Sequence, residues 1–171
     1  MKQKIKTALI SVSDKTNLSL VLKTLNKYKV NIISSGGTYR SIKQLGYPCT
    51  EVSSYTGFKE MLDGRVKTLH PKIHAGILHD RSNKKHTQEM NKQKFPSLDL
   101  IVVNFYPFQK IVTNSKNNKE IIENIDIGGP TMVRSAAKNF KNVLIITNKN
   151  DYSDLISEIE KNKVAKALET S

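Results

Sequence analysis

The 171-residue sequence contains one cysteine, Cys49, and therefore cannot form a disulfide within the chain. Cys49 lies in a short segment with strand character, so we interpret it as a small apolar packing residue rather than as a nucleophile. Long apolar runs are also absent, which argues against a membrane-spanning helix. The basic N-terminus is followed only by the short apolar segment 8–10 and not by a signal core. We expect a cytosolic protein.

Acidic residues are scarce: 15 Asp and Glu stand against 28 Lys and Arg, which gives a formal net charge of +13. One explanation is nucleic-acid binding. However, the lysines are spread along the chain, and no basic block or nucleic-acid motif is present. Asn and Ile are abundant too, as codon usage rich in A and T would produce. We therefore expect no nucleic-acid partner and no membrane partner, although a positive field would attract an anionic small molecule.

Apolar residues recur at strand spacing and at helix spacing in alternation along the chain. The length fits one domain, which we place at 1–162. Alternating strands and helices predict an α/β fold with a mainly parallel sheet and helices on both faces, a Rossmann-like three-layer arrangement. Segment 53–80 is crowded with polar residues, and we expect it to be irregular. The predicted strands are 7–12, 30–34, 49–52, 99–105 and 142–147, and the predicted helices are 18–25, 39–45, 81–95, 120–124, 131–139 and 151–161.

Polar residues follow the first two predicted strands, at the edge of a parallel sheet where ligands bind. The first group is Ser11, Ser13 and Lys15, and the second is Ser35-Gly36-Gly37-Thr38. Hydroxyls, a cation and the backbone N–H groups of two helix starts would together hold an anion. The spacing fits neither a Walker loop nor a dinucleotide fingerprint. The alternative for the Gly-Gly segment is a plain turn with a helix cap.

A third polar group lies between the third and fourth strands. Arg65 and Lys67 occupy alternate positions, so both point the same way if the segment is extended. Arg65 suits a bidentate anion, and Lys67 suits a point charge or a proton donor. His70 and His74 have the i, i+4 spacing of some metal-binding pairs. Pro71 argues against a regular helix there and no third ligand is evident, so we expect no metal.

The fourth group combines Asn104 and Tyr106, which follow the fourth strand, with the turn Asp126-Ile127-Gly128-Gly129-Pro130. An acidic residue before a Gly-Gly-Pro turn either takes part in chemistry or caps the helix that follows. Lys138 comes two helical turns after Thr131, so these two residues lie broadly on one face of the predicted helix.

With these groups in view, the chain resembles the inosine monophosphate cyclohydrolase domain of a bifunctional purine-biosynthesis enzyme. The similarity rests on two long runs, 57–74 and 123–139, and on 8–16, 34–38 and 102–108, all in the same order. The resemblance implies a methylglyoxal-synthase-like α/β fold. It also implies the ring closure that converts 5-formamidoimidazole-4-carboxamide ribotide to inosine monophosphate and water in de novo purine biosynthesis. This domain would need no cofactor and no metal.

The same resemblance implies a purine nucleotide as the small-molecule substrate and a homodimer in the full-length protein. The second half of that enzyme, a folate-dependent transformylase acting on aminoimidazole carboxamide ribotide, is missing from this sequence. Segment 163–171 would then be the start of the linker to it.

Roles for individual residues follow from the resemblance as well. Lys138 would relay a proton, Lys67 would stabilise the developing oxyanion, and Tyr106 and Asp126 would complete the catalytic network. Asn104 and the backbone around Ile127 and Gly128 would face the base. The other substrate-binding residues, assigned mainly to the phosphate and ribose, would be Ser11, Ser13, Lys15, Ser35, Gly37, Thr38, Arg65 and Thr68.

Two other functions are compatible with this fold. Methylglyoxal synthase and a regulatory nucleotide-binding domain would both need the same phosphate site. Neither accounts for the run from Arg65 to His74 or for the helix that carries Lys138.

Overall fold

A computed structural model describes residues 4–105 and 108–169. Its five strands form one sheet in the order β3-β2-β1-β4-β5, and every neighbouring pair is parallel. The register pairs Leu9 with Ile33 on one side and with Ile101 on the other. The predicted parallel sheet is therefore confirmed. The strands are β1 (Thr7–Val12), β2 (Asn31–Ser34), β3 (Thr50–Glu51), β4 (Leu100–Asn104) and β5 (Leu144–Ile146).

The helices cover both faces of this sheet, and a short 3-10 turn (Lys149–Asp151) precedes the last of them. In the described residues they are α1 (Leu18–Lys27), α2 (Gly36–Gln44), α3 (Val52–Thr56), α4 (Pro71–Leu78), α5 (Lys84–Gln93), α6 (Phe108–Asn114), α7 (Asn118–Glu123), α8 (Gly128–Lys138) and α9 (Tyr152–Glu169). No helix in the described part of the chain is both long and apolar enough to cross a membrane.

Two separate apolar clusters form the core, one on each face of the sheet. Because strand side chains alternate, Ala8 and Ile10 of β1 point to one face and Leu9 points to the other. The first cluster packs against α1, α2 and α9, and the second against α3, α4 and α8. This confirms the predicted three-layer arrangement, with β1 and β4 buried on both faces.

Segment 53–80 is more regular than predicted, because it contains most of α3 and all of α4. The prediction that Pro71 argues against a regular helix was wrong. Pro71 occupies the first position of α4, where a missing N–H costs no helical hydrogen bond. His70 caps this helix, since its Nδ1 accepts the Lys72 N–H at 3.1 Å. Helix α6 was also not predicted, and α9 continues into segment 163–171.

A buried ion pair anchors the sheet at the end where β1 and β4 begin. Asp99 is almost fully buried, and its Oδ1 lies 2.9 Å from the Arg81 guanidinium. Its Oδ2 accepts the backbone N–H groups of Lys6 and Thr7 at 2.7 and 2.9 Å. The Asp99 side chain thus joins the loop before α5 to the beginnings of β1 and β4. The opposite end of the strands, where β1 and β4 finish, remains available for a binding site.

Candidate active site

A cavity of about 620 Å³, with both polar and apolar residues in its lining, lies beyond the carboxyl ends of β1, β2 and β4. Six parts of the chain line it: the three loops after these strands, segment 63–68, the end of α7, and the start of α8 with the residues just before it. All eleven residues predicted to bind substrate line this cavity, and so do Lys67 and Asp126. The eleven are Ser11, Ser13, Lys15, Ser35, Gly37, Thr38, Arg65, Thr68, Asn104, Ile127 and Gly128.

Two predicted catalytic residues are not among the lining residues. Tyr106 lies outside the described residues. Lys138 is the exposed last residue of α8, whereas the cavity contacts the beginning of that helix. Since α8 has 11 residues, its two ends lie about 15 Å apart. Sharing a helix face with Thr131 therefore does not bring Lys138 to Lys67 and Asp126, and its catalytic role stays a prediction.

The loop after β1 is held by the side chain of Asn104. The amide oxygen accepts the N–H groups of Ser13 and Asp14 at 2.7 and 2.9 Å, and the amide nitrogen donates to the Asp14 carbonyl at 2.8 Å. Lys15 folds back over the same loop, donating to the carbonyls of Val12 and Ser13 at 3.3 and 3.2 Å. Asn104 was predicted to face the base; here its polar atoms shape the loop that forms one cavity wall.

The turn between β2 and α2 forms the neighbouring part of the cavity wall. Gly36 adopts a left-handed φ of 54°, which a residue with a side chain rarely takes. Thr38 fixes the turn to β1, since its hydroxyl accepts the Val12 N–H at 3.1 Å and donates to the Val12 carbonyl at 2.9 Å. Ser35 makes no capping bond to the start of α2 among the described residues. The first N–H groups of α2 can therefore serve an anion.

Lys67 brings a cation to this turn. Its ammonium group would lie 3.4 Å from a Cβ built on Gly36 and 2.9 Å from one built on Gly64. Its nearest acidic partner is Glu60, whose carboxylate is 3.6 Å away and largely exposed. The preceding turn carries three consecutive left-handed residues, Leu62, Asp63 and Gly64. Such a turn stores backbone strain at the two non-glycine positions, as is common near functional sites.

Arg65 forms an ion pair at the rim of the cavity. Its Nε donates to Glu123 Oε1 at 3.2 Å, and its terminal nitrogen bonds the other carboxylate oxygen of the same residue. The Arg65 guanidinium holds the pKa of Glu123 below its usual value, and the carboxylate raises the pKa of Arg65. Arg65 was predicted to bind phosphate or ribose; in this structure, it joins segment 63–68 to α7. We did not predict Glu123 or Glu60 as site residues.

The start of α8 combines a side-chain hydrogen bond with a tight contact. Asp126 Oδ1 accepts the Gly129 N–H at 2.9 Å, so the carboxylate serves an N–H group of the first turn, although Ile127 and not Asp126 occupies the N-cap position. A Cβ on Gly129 would come within 2.5 Å of Asp126 Oδ2 and 2.9 Å of the Phe105 ring, so the carboxylate packs directly against this glycine. Asp126 is exposed to the cavity while one of its oxygens is held in place.

The two histidines of the Arg65–His74 run do not form a metal pair. His70 caps α4, and His74 Nδ1 lies 3.2 Å from the Ser135 hydroxyl. Across the described ranges 4–105 and 108–169, no three His, Cys, Asp or Glu residues come together as metal ligands would.

Comparisons with known proteins agree on one family. The family model of the MGS-like domain matches residues 17–131. The bifunctional purine biosynthesis protein PurH of Clostridium acetobutylicum is 52% identical over 157 residues, which are 92% of this chain and 32% of that protein. PurH of Oceanobacillus iheyensis is 52% identical over 155 residues, 90% of this chain and 30% of that protein. The chain thus spans about a third of the length of the curated relatives it matches.

A solved structure is similar over most of its length. The chain named in "Crystal structure of ForH" superposes with a TM-score of 0.81 at 30% sequence identity. The match covers 91% of this chain and 79% of that one.

Proposed function

The chain belongs to the MGS-like domain family and is homologous to the matching part of PurH proteins, and from this premise we propose that it is an inosine monophosphate cyclohydrolase domain. Its substrate would be 5-formamidoimidazole-4-carboxamide ribotide, and its products inosine monophosphate and water. The complete protein would add the transformylase half, reached through segment 163–171, and would form a homodimer.

One observation carries this proposal: residues from five separate parts of the chain, each predicted to serve the same substrate, line a single cavity. The volume of about 620 Å³ lies within the range of small-molecule sites. The cations and hydroxyl groups in its lining, among them Lys15, Lys67 and Thr38, suit a phosphorylated ligand. A net charge of +13 would favour the approach of such an anion.

The phosphate is placed at the start of α2. Residues 35–38 line the cavity there, and Lys15 Nζ would lie 3.9 Å from a Cβ on Gly37. Helix N-termini bind anions because their N–H groups and the helix dipole both favour negative charge. The base then extends toward Thr68, Asp126 and Gly128 at the other wall.

Ring closure forms one bond and breaks another. The carboxamide nitrogen attacks the formyl carbon, the formyl π electrons move to oxygen, and that oxygen takes up a proton. The attacking nitrogen gives up one of its two protons, and the formamido nitrogen gives up its own. The hydroxyl takes up a second proton and leaves as water, which breaks the carbon–oxygen bond and completes the double bond of the closed ring. The carboxamide nitrogen is a poor nucleophile, so the step needs a proton acceptor and a charge that stabilises the developing oxyanion.

Lys67 and Asp126 are assigned to these two tasks. Lys67 stabilises the negative charge on the formyl oxygen and donates to it. Asp126 Oδ2 accepts a proton from the carboxamide nitrogen while Oδ1 stays bound to the Gly129 N–H. Positioned proton transfer contributes about 10²–10⁴-fold to rate. Holding the formyl and carboxamide groups together in the cavity adds an entropic advantage.

Lys138 and Tyr106 are assigned by resemblance alone. A Lys138→Ala variant separates two outcomes. A large loss of kcat would mean that Lys138 acts on the substrate although it does not line the cavity in this structure. Unchanged turnover would remove Lys138 from the mechanism and leave the proton transfers to Asp126 and Lys67.

The experiment that tests the function compares two substrates. The purified 171-residue chain is mixed with the formylated carboxamide ribotide, and formation of the hypoxanthine ring of inosine monophosphate is followed by absorbance. A parallel reaction with dihydroxyacetone phosphate tests for methylglyoxal. We expect turnover of the ribotide alone. Methylglyoxal formation without ring closure would replace the proposal with a synthase, and tight binding of purine nucleotides without turnover would replace it with a regulatory domain.

A further inference from the structure

His74 is a half-buried titratable residue that the proposed mechanism does not use. It lies in the first turn of α4, and its ring faces α8. Nδ1 is 3.2 Å from Ser135 Oγ, and Ser135 is itself 92% buried, with 8% of its surface exposed. Nε2 is buried and has no hydrogen-bond partner in the part of the chain that the structure describes. A buried imidazole nitrogen without a partner carries a desolvation cost, which calls for a functional explanation.

The ring also lies against the backbone of Thr68. Burial lowers the pKa of His74, and the Thr68 backbone partly offsets this effect. The Thr68 carbonyl already accepts the His70 N–H at 2.9 Å. A carbonyl oxygen has two lone pairs, so a second donor can approach it. An Nε2–H group on His74 is the donor available to that carbonyl.

Thr68 is the point at which this contact meets the cavity. Its side chain lines the cavity directly after Lys67, and it is buried. Its hydroxyl oxygen would lie only 2.5 Å from a Cβ on Gly128, the first residue of α8. Thr68 therefore touches the start of α8, and His74 touches a later turn of the same helix. A hydrogen bond from His74 Nε2–H to the Thr68 carbonyl would complete a path of contacts from Ser135 through His74 and Thr68 to Gly128.

We propose that His74 is a positioning residue, which ties the Lys67–Thr68 backbone to α8 and so sets Lys67 against Asp126. The expected effect on kcat rests on the proposed function, whereas the contact between His74 and the Thr68 backbone does not depend on it. The Ser135 hydroxyl has one proton and can donate either to Thr131 O at 2.9 Å or to His74 Nδ1. In the positioning arrangement the proton goes to Nδ1, and Nε2–H points to Thr68.

The kinetic test uses two variants of His74 and one matched control. His74→Gln keeps an N–H donor near the position of Nε2, whereas His74→Leu removes it. The control is His79→Leu: His79 ends the same helix and bonds Ala75 O and Ser97 Oγ at 3.0 and 3.1 Å, away from the cavity lining. We expect His74→Leu to lower kcat about tenfold or more, since small displacements of reacting groups are costly. His74→Gln recovers most of that loss, and His79→Leu changes the Tm but not kcat.

Equal loss in His74→Leu and His74→Gln would overturn the proposal, and so would an equal loss of kcat in His79→Leu. A second measurement needs no substrate. Nitrogen-15 NMR of the wild-type imidazole should show a neutral ring protonated at Nε2 at pH 7. The amide signals of Thr68 and Gly128 should shift in His74→Leu and stay in place in His79→Leu.

These NMR outcomes separate the two proposals. A wild-type chain that gives this tautomer but no ring closure would refute the cyclohydrolase function and retain the positioning contact. A ring protonated at Nδ1, or a Gly128 amide that does not move in His74→Leu, would refute the positioning role even in an active enzyme.

Discussion

The Thr68 hydroxyl occupies the space that any side chain at Gly128 would need: a Cβ built on Gly128 would lie 2.5 Å from Thr68 Oγ1. This distance is well below van der Waals contact. The contact joins the segment that carries Lys67 to the first turn of α8, where Asp126 accepts the Gly129 N–H. Lys67 and Asp126, the two proposed catalytic residues, therefore lie on either side of the contact between Thr68 and Gly128.

A Gly128→Ala variant tests this contact. The added methyl group overpacks a filled site, so we expect a loss of about 1–3 kcal/mol of unfolding free energy, measured by urea denaturation. Thr68→Ala removes the clashing oxygen, and the Cβ of residue 68 lies at an ordinary 3.9 Å. Gly128→Ala should therefore cost much less in the Thr68→Ala background. Equal losses of unfolding free energy in both backgrounds would show that the Thr68 hydroxyl does not clash with a side chain at position 128.

An Asn104→Ala variant should weaken substrate binding. It removes the three hydrogen bonds that hold the β1–α1 loop, each worth about 0.5–1.5 kcal/mol. We expect a higher KM and a lower Tm. Asn83→Ala is the matched control, since Asn83 caps α5 through the N–H groups of Lys85 and His86 and does not line the cavity. It should lower the Tm through the lost cap and leave KM unchanged. An unchanged KM in Asn104→Ala would contradict the loop's role.

An Asp99→Ala variant should destabilise the fold and spare the site. It leaves Arg81 without its partner and removes the acceptor for two backbone N–H groups. Breaking a buried pair in this way costs roughly 3 kcal/mol, measurable by urea denaturation. Glu160→Ala, which breaks an exposed pair with Lys27, should have a much smaller effect. Activity per folded molecule should not change, because the cavity lies at the other end of the strands.

Cys49 should react slowly in the folded chain. Burial raises the pKa of its thiol to about 11, so less thiolate is present at pH 8 than for an unperturbed cysteine. A two-unit rise corresponds to about a hundredfold less thiolate at that pH. Alkylation by iodoacetamide, followed by mass spectrometry, should accelerate with pH up to about pH 11 and be faster in urea. A plateau below pH 9 in the folded chain would contradict the raised pKa.

Much of the fold was predictable because burial leaves a clear pattern. β4 has a continuous apolar run and β1 contains the apolar segment 8–10, since both faces of each strand are covered. Helix α4 was missed because Pro71 can end a helix or begin one, and the residue type alone does not distinguish the two. Helix α3 has only five residues, too few for a helical pattern to stand out among polar neighbours.

The cavity lining was predictable from strand ends and from resemblance, but the pairing of charges was not. Arg65 and Glu123 are 58 residues apart in the chain, and no local spacing joins them. Lys138 shows the opposite limit. Helical periodicity predicts which face of the helix carries Lys138, but not which end of the helix meets the ligand. Helix α8 has 11 residues, and only its beginning lines the cavity.

The central claim is that Lys67, acting with Asp126 in this cavity, closes the purine ring. Its most direct test is the kcat of Lys67→Met in the 171-residue chain, measured beside Lys59→Met, which removes an exposed lysine outside the cavity lining. We predict that Lys67→Met keeps the wild-type Tm and loses roughly 10²-fold or more in kcat, while Lys59→Met keeps the wild-type rate. Wild-type turnover in Lys67→Met would contradict the claim.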